Sequence, residues 1–393
     1  MFAAIAAAES GSAGVTVLEQ GPRFLSKVLI SGGGRCNVTH ACFDPRELSL
    51  RYPRGGRALL GAFHQFQPQD TIAWFAARGV TLKTEADGRM FPITDSSATI
   101  ADCLLEAARR DGVELRPNCG LKSVERIPHG GFLIHCGDNE EQTCHRLMLA
   151  TGGCRAANAG SLAVSLGHTL EPPVPSLFTF RIASPWLRQL AGISLPEAEI
   201  QVMGENLKER GPILITHEGL SGPAVLRLSA WGARALHDRD YRFSVLLNWV
   251  PQFNLDSLGK ELQQKRQAQP ARTIVNSPMS PLPSRLWEQL VLQSGIARET
   301  RWADLSRAQT HQFIQTLSRT ELQVIGKSLN RDEFVTCGGI PLNEVNFKTM
   351  ESRVCPGLFL GGELLDIDGI TGGFNFQAAW TTGWLAGRAM ASV

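Results

Sequence analysis

The chain alternates short apolar runs that end in glycine with longer stretches of helical spacing. Phe2 to Ser10 is alanine-rich and predicts a helix, stopped by Gly11 and Gly14. Gly14-Val-Thr-Val-Leu-Glu19 then reads as a short buried strand finishing in an acid. Pro68 to Gly79 carries Pro and Asp at its start and Gly past its end, the punctuation of a helix. Val80–Glu85 and Gly88–Pro92 predict a hairpin around Asp87-Gly88. Ser96 or Ser97 caps a helix through Arg110, stopped by Gly112. Strands are expected at Val113–Arg116, Leu121–Ile127, Gly131–Cys136 and Arg146–Ala150, the middle pair turning at Pro128-His-Gly-Gly131. The last apolar run, Leu358-Phe-Leu360, enters glycines and carboxylates before Gly372-Gly373 opens a final helix. On that helix Ala379, Gly383 and Gly387 recur every fourth residue, a small-residue face for close packing on the sheet.

Composition shifts near Glu171-Pro-Pro-Val-Pro175, which predicts a linker. Short strands and turns then alternate to about Pro251, including Arg242–Trp249. Leu255 to Arg319 is polar and helical in pattern, and Glu321–Gly326 reads as one returning strand. The expected architecture is α/β: a Rossmann-like domain interrupted by a β-barrel-like domain that carries a helical insertion. The boundaries are 1–172 for the first part, 173–253 and 320–333 for the barrel, 254–319 for the insertion, and 334–393 for the returning part, which starts near Phe334.

At 393 residues more than one domain is expected, and 43% hydrophobic with 19% charged residues supply ample core material. A net charge of +2 demands neither nucleic acid nor membrane, although Arg51, Arg54 and Arg57 form a local basic cluster. Nine scattered cysteines without Cys-x-x-Cys read as reduced thiols of a cytoplasmic protein. Zinc spacing is absent, and the apolar Met1–Ala8 has no basic flank and meets Glu9 at once, unlike a signal peptide.

Helix, glycine, strand and terminal Glu19 form the second half of a dinucleotide-binding unit, whose acid holds ribose hydroxyls about 20 residues after a glycine turn. Counting back from Glu19 runs ahead of Met1, so the natural protein is expected to start upstream; a diverged member without that strand is the alternative. Ser31-Gly-Gly-Gly-Arg-Cys-Asn37 allows successive N–H groups to point into one concavity, a nest for a pyrophosphate or for a flavin's polar edge. Arg35 adds fixed charge, and Lys27 is a candidate phosphate contact. Ala150-Thr-Gly-Gly153 ends a strand at the sheet's carboxyl edge, where ligands bind in open α/β sheets. Glu363 and Asp366 are candidate acceptors for ribityl hydroxyls, ahead of Asp368. Gly372-Gly373-Phe-Asn375 aims a helix N-terminus at the ring edge that is negative when reduced. The full cofactor set adds Gln20 beside Glu19, each of Ser31, Gly32, Gly33, Gly34, Cys36 and Asn37, then Val124, Thr151, Gly152, Gly362, Phe374 and Phe376. Cys36 and His217 are the candidate proton donors, with a buried filler and a structural histidine as their alternatives. No second Gly-x-Gly-x-x-Gly marks a separate nicotinamide domain, so NAD(P)H would visit the flavin through the substrate cleft.

On Leu29-Ile-Ser-Gly-Gly-Gly-Arg-Cys-Asn-Val-Thr39, Gly88-Arg-Met-Phe-Pro92, Leu149-Ala-Thr-Gly-Gly153, Ile215-Thr-His-Glu-Gly-Leu-Ser-Gly-Pro-Ala224, Thr349-Met-Glu-Ser352 and Gly357–Gln377, the chain resembles the BaiN/RdsA family of flavoproteins, which includes the bacterial YhiN proteins. The resemblance implies FAD in a Rossmann-like domain interrupted by a barrel with a helical insert. Members have been assigned reduction of conjugated carbon–carbon bonds in bile-acid-type steroids, uridine reduction in large-subunit ribosomal RNA, and amine oxidation. The expected function is FAD-dependent reduction of an activated C=C bond with hydride from NAD(P)H. A ribosomal RNA uridine reductase is one alternative, and an inactive, N-terminally truncated product unable to hold FAD is another. Expected partners are a small-molecule or ribosomal RNA substrate, with no membrane and no stable protein partner.

Overall fold

A computed structural model describes residues 1–11, 14–128, 130–137, 140–154, 160–328 and 335–392. The chain divides into two compact units: Met1–Ser176 with Arg331–Val393, and Leu177–Asn330. The chain's return to the first unit, expected near Phe334, lies outside the described residues.

In the first unit, β1 (Thr16–Leu18) pairs in parallel with β2 (Glu114–Arg116), in register Thr16↔Glu114 to Leu18↔Arg116. A second parallel pair joins β3 (Leu147–Leu149) to β4 (Leu358–Leu360), and two short antiparallel strands, Glu351–Ser352 and Val345–Asn346, extend it. Among the described residues β1 pairs only with β2 and β3 only with β4. β4 is buried along its whole length, as a strand covered on both faces must be. The hairpin Leu82–Thr84/Arg89–Pro92 and the meander Leu121–Arg126/Phe132–Cys136/Glu141–Cys144 complete the unit. The third meander strand was not evident from its polar sequence, Glu-Gln-Thr-Cys.

Helix α1 (Phe2–Glu9) packs on the final helix α2 (Phe374–Ala391). The small-residue face therefore does not rest on the sheet as expected: Gly383 and Gly387 meet α1. A Cβ on Gly387 would come 2.2 Å from the Ala3 carbonyl oxygen, so the backbones touch because that position has no side chain. Phe2 fills the groove beside this contact, with Phe66, Trp74 and Trp380 around its ring.

The second unit is a closed six-stranded barrel in spatial order Thr179–Ile182, Gly219–Ser221, Lys208–Ile215, Ser194–Val202, Phe243–Asn248 and Thr320–Ser328. Alternate residues such as Ile200, Val202, Val245 and Leu247 point into its core. Helices Leu255–Ala268, Ser284–Gln293 and Arg307–Ser318 follow the fifth strand. Capping boxes at Asn254 and Ser306 start the first and third. Trp287, Trp302 and Phe313 are fully buried in the core these helices share with the barrel.

Candidate functional site

The first unit gathers the chemistry-bearing segments at the carboxyl ends of its parallel strands, where open α/β sheets bind ligands. At the end of β1, the Glu19 carboxylate accepts the Gly21 N–H at 2.8 Å, and its backbone is bonded to Arg116 and Cys119. Gln20 is exposed beside Gly120.

At the ends of β3 and β4 the structure brings together Lys27, Gly152, Gly153 and Glu363. Lys27 forms an ion pair with Glu363 Oε2, while the Thr336 N–H donates to Glu363 Oε1 at 2.9 Å. A Cβ on Gly153 would sit 2.3 Å from Thr336 Oγ1 and 2.9 Å from Glu363 Oε1, and one on Gly152, at φ +79°, would face Lys27 Nζ at 3.8 Å. Ala150 and Thr151 are exposed at this edge. Thr336 had no motif to mark it in the sequence.

The glycine nest is a true break in a helix. Ser26–Gly34 begins helical, turns out at Ser31, and Gly32, Gly33 and Gly34 then take φ of +58°, +67° and +83°. Three left-handed residues in a row are tolerable only for glycine. A Cβ on Gly33 or Gly34 would meet nothing within 4 Å, so this face is open, whereas Gly32 is pressed on Asn37 and Phe91. Arg35 is held elsewhere: it pairs with Glu85 at 2.7 Å and Asp95 at 3.5 Å and stacks 4.0 Å over Phe91. Cys36, also left-handed at φ +58°, is fully buried, and burial pushes its thiol up to about 12 against a weaker opposing hydrogen bond from Ser31.

Asn37 ties this segment to the N-terminus of α2. With its amide oriented to satisfy both partners, it accepts the Gly373 N–H at 3.0 Å and donates to the Thr39 carbonyl at 3.1 Å. A Cβ on Gly373 (φ +92°) would lie 2.6 Å from the Thr39 oxygen, which makes glycine obligatory there. Asn375 closes the preceding loop through two bonds to Gly369, at 2.8 and 3.0 Å. Phe374 is buried against His40, at 4.7 Å between ring centres, and Phe376 stacks on Trp380. Gln377 accepts from Thr39 at 2.6 Å and from Thr71 at 2.9 Å, a buried polar lock at the start of the helix. His40, Thr71 and Gln377 were not among the residues singled out from sequence. Gly362 precedes Glu363, and its N–H donates to Thr382 Oγ1 at 3.0 Å.

The remaining carboxylates separate by burial. Asp366 accepts the Gly338 N–H at 2.9 Å. Asp368 is completely buried in an ion pair with Arg54 and accepts the Ser176 hydroxyl at 2.6 Å. The basic cluster expected at Arg51, Arg54 and Arg57 is therefore not one: Arg51 and Arg57 are exposed, but Arg54 turns inward. Val124 is buried in the meander sheet. His217 is exposed in the turn between two barrel strands of the second unit.

An acid ending β1, an open nest, a strand end where even a methyl group would collide, and a helix N-terminus set behind two glycines together fit a flavin dinucleotide. The first-turn N–H groups of Phe374, Asn375 and Phe376 meet no protein acceptor among the described residues, and such groups attract anionic ligand edges.

The HI0933-like protein Rossmann domain matches residues 1–389. The chain belongs to this family. Within the HI0933-like family, the 3-dehydro-bile acid delta(4,6)-reductase of Clostridium scindens is 31% identical over 100% of this chain and 96% of its own. The ribosomal RNA dihydrouridine synthase of Escherichia coli is 30% identical over 98% of this chain and 93% of its own. The resemblance to the BaiN/RdsA flavoproteins thus spans the whole chain, and with it the assignment as an FAD-dependent oxidoreductase. Among solved structures, the 3-ketosteroid-delta4-(5alpha)-dehydrogenase of Rhodococcus jostii with 4-androstene-3,17-dione superposes with a TM-score of 0.51 at 13% identity, covering 100% of this chain and 94% of that one. The 3-ketosteroid delta1-dehydrogenase of Sterolibacterium denitrificans gives 0.50 at 12%, covering 99% and 97%. These likenesses establish the shared fold. Among the described residues no helix is long and apolar enough to cross a membrane.

Proposed function

We propose that this protein reduces a C=C bond conjugated to a carbonyl, with NAD(P)H as reductant. The observation that carries the cofactor part is the convergence of Lys27, Gly152, Gly153, Thr336 and Glu363 at the strand ends. FAD, when bound, supplies hydride transfer between the nicotinamide and the β-carbon. Glu363 and Asp366 are the acceptors nearest in kind to ribityl hydroxyls. Glu19 suits the adenosine ribose, and the glycine nest suits the pyrophosphate or the ring's polar edge. The amides opening α2, with the helix dipole behind them, favour negative charge at the ring edge they face.

The proton for the α-carbon is assigned in this proposal to Cys36, the candidate donor within the first unit. Cys36 keeps its proton through neutral pH, because burial holds the thiol at about 12. Loss of turnover in Cys36→Ala with FAD retained supports this donor, and unchanged turnover rules it out.

Both named relatives act on such a bond by their names: a dienone in a bile acid, and uridine in ribosomal RNA. Reduction of a steroid-like small molecule and reduction of ribosomal RNA uridine are accordingly the two substrate readings. Anaerobic addition of NADPH to FAD-loaded protein should bleach the flavin, and an unbleached spectrum defeats the proposal. Dihydrouridine mapping of ribosomal RNA from a deletion strain decides between substrates: unchanged RNA ends the uridine reading.

A further inference from the structure

The buried ion pair of Arg54 and Asp368 has no place in cofactor binding as described above. Arg54 lies in the loop between the short helices Pro45–Ser49 and Gly56–Phe63. Asp368 lies 314 residues later, in the loop between β4 and α2. Arg54 Nε donates to Asp368 Oδ1 and Nη2 to Oδ2, a fork that fixes the guanidinium plane. The two residues also form a backbone bridge. Ser176 holds Oδ2 from another side at 2.6 Å. Gly55 abuts Ile367 so closely that a Cβ would come 2.6 Å from its Cγ1, leaving the loops no room to slide.

Asp368 is wholly buried, yet the Arg54 side chain keeps 16% of its surface. Two of the three guanidinium nitrogens are committed. The third, Nη1, donates to no acceptor among the described residues. A buried pair is a poor device for stability alone, since desolvating both charges offsets most of their attraction. A rigidly aimed cationic N–H with a spare donor is the form that stabilises developing negative charge. The pair also sits next to the opening of α2: Gly369, the residue after Asp368, is bonded through both its backbone groups to Asn375.

We propose that Arg54 is an oxyanion-binding catalytic residue whose Nη1–H receives the carbonyl oxygen of the conjugated substrate, and that Asp368 and Ser176 are the positioning residues that aim it. This rests on the reductase reading above. Hydride adds to the β-carbon, the C=C electron pair moves toward the carbonyl, and negative charge collects on its oxygen opposite Arg54. The α-carbon then takes a proton, so the substrate gains two electrons and two hydrogens while NAD(P)H is oxidised. Arg54 keeps its own proton throughout, as a guanidinium does at any working pH.

The probe is 4-nitrophenol, whose oxyanion mimics the charged intermediate and whose two protonation states differ in absorbance. With FAD-loaded wild-type protein, bound phenol should ionise at least tenfold more readily than free phenol. Arg54→Ala should abolish that preference, Arg54→Lys should retain part of it, and Ser176→Ala should weaken it with the ion pair intact. Asp368→Asn should lose it while keeping FAD, a result that a merely structural pair would not give. Turnover of a 3-oxo-Δ4 steroid or of a uridine-containing oligonucleotide, whichever the wild type reduces, should fall about 10²–10³-fold in kcat for Arg54→Ala, with a smaller change in KM. Equal phenolate preference in wild type and Arg54→Ala, or no preference in the wild type, overturns the proposal. NADPH bleaching of the wild-type flavin is read separately, so failure of the reductase reading is distinguishable from failure of this one.

Discussion

Two glycines one turn apart on α2 should respond to the same substitution with opposite sign. Gly383 and Gly387 both face α1, and both would gain helix propensity from alanine, about 1 kcal/mol each. Their surroundings differ. A Cβ on Gly383 would meet the Ala3 nitrogen at 3.5 Å and Phe2 Cβ at 3.6 Å, ordinary van der Waals contacts. A Cβ on Gly387 would lie 2.2 Å from the Ala3 carbonyl oxygen and 2.8 Å from Ala6 Cβ. Relieving that clash requires the helices to separate by about 1 Å, and overpacking of this kind costs about 1–3 kcal/mol. Gly383→Ala should therefore stabilise by up to about 1 kcal/mol, and Gly387→Ala should destabilise by up to about 2 kcal/mol after the propensity gain is counted. For a unit of about 240 residues, each kcal/mol moves Tm by about 2–4 °C. Thermal unfolding of the FAD-loaded protein, with urea titration to confirm an unchanged m-value, measures both. Shifts of the same sign and size at the two positions would refute the claim that backbone contact, rather than helix propensity, governs this face.

Cofactor affinity should depend on the strand-end cluster: Glu363→Gln removes the charge facing Lys27 and should weaken FAD binding about tenfold, read by flavin fluorescence on titration. Asp368→Asn leaves the Arg54 charge without its counter-ion in a buried site and should cost about 3 kcal/mol in urea unfolding, more than Ser176→Ala at about 1 kcal/mol. Alkaline stability should fall as well. The Cys36 thiol ionises near 9 when unfolded but at about 12 when folded, so its contribution is complete below pH 9 and disappears as pH rises toward 12. Cys36→Ala should flatten the loss of stability between pH 9 and 12, and an unchanged slope would show that other groups, Cys154 among them, account for it.

The sequence carried the local structure well where a residue type has one mechanical use. Proline and aspartate at one end and glycine at the other bounded the helix at Pro68, and Asp87-Gly88 turned the hairpin it predicted. The run Gly32–Gly34 reads as backbone free of Cβ hindrance, and in the structure all three residues take left-handed φ. Strand Glu141–Cys144 went unseen because its sequence is polar and it is set in place by the ladder to Phe132–His135. The small face of α2 was legible as a packing surface, but its partner was not. Spacing of four reports that something comes close, and only the tertiary arrangement makes it α1.

The site was legible as segments and illegible as pairings. Three carboxylates within six residues, Glu363, Asp366 and Asp368, looked alike in sequence, and what distinguishes them is which distant group arrives beside each. Lys27 and Thr336 reach Glu363, the Gly338 amide reaches Asp366, and Arg54 with Ser176 closes over Asp368. The same logic reverses two sequence expectations about arginine. Arg35, beside the nest, is committed to Glu85 and Asp95, while Arg54, which looked like part of a solvated cluster, is the one held with a donor to spare. A charge is available to a ligand only when its neighbours leave a hydrogen-bonding direction unused, and those neighbours lie 50 residues away for Arg35 and 314 for Arg54. The glycine-rich segments were readable because glycine and backbone amides act locally; the Arg54–Asp368–Ser176 cluster depends on side-chain pairs that the fold alone assembles.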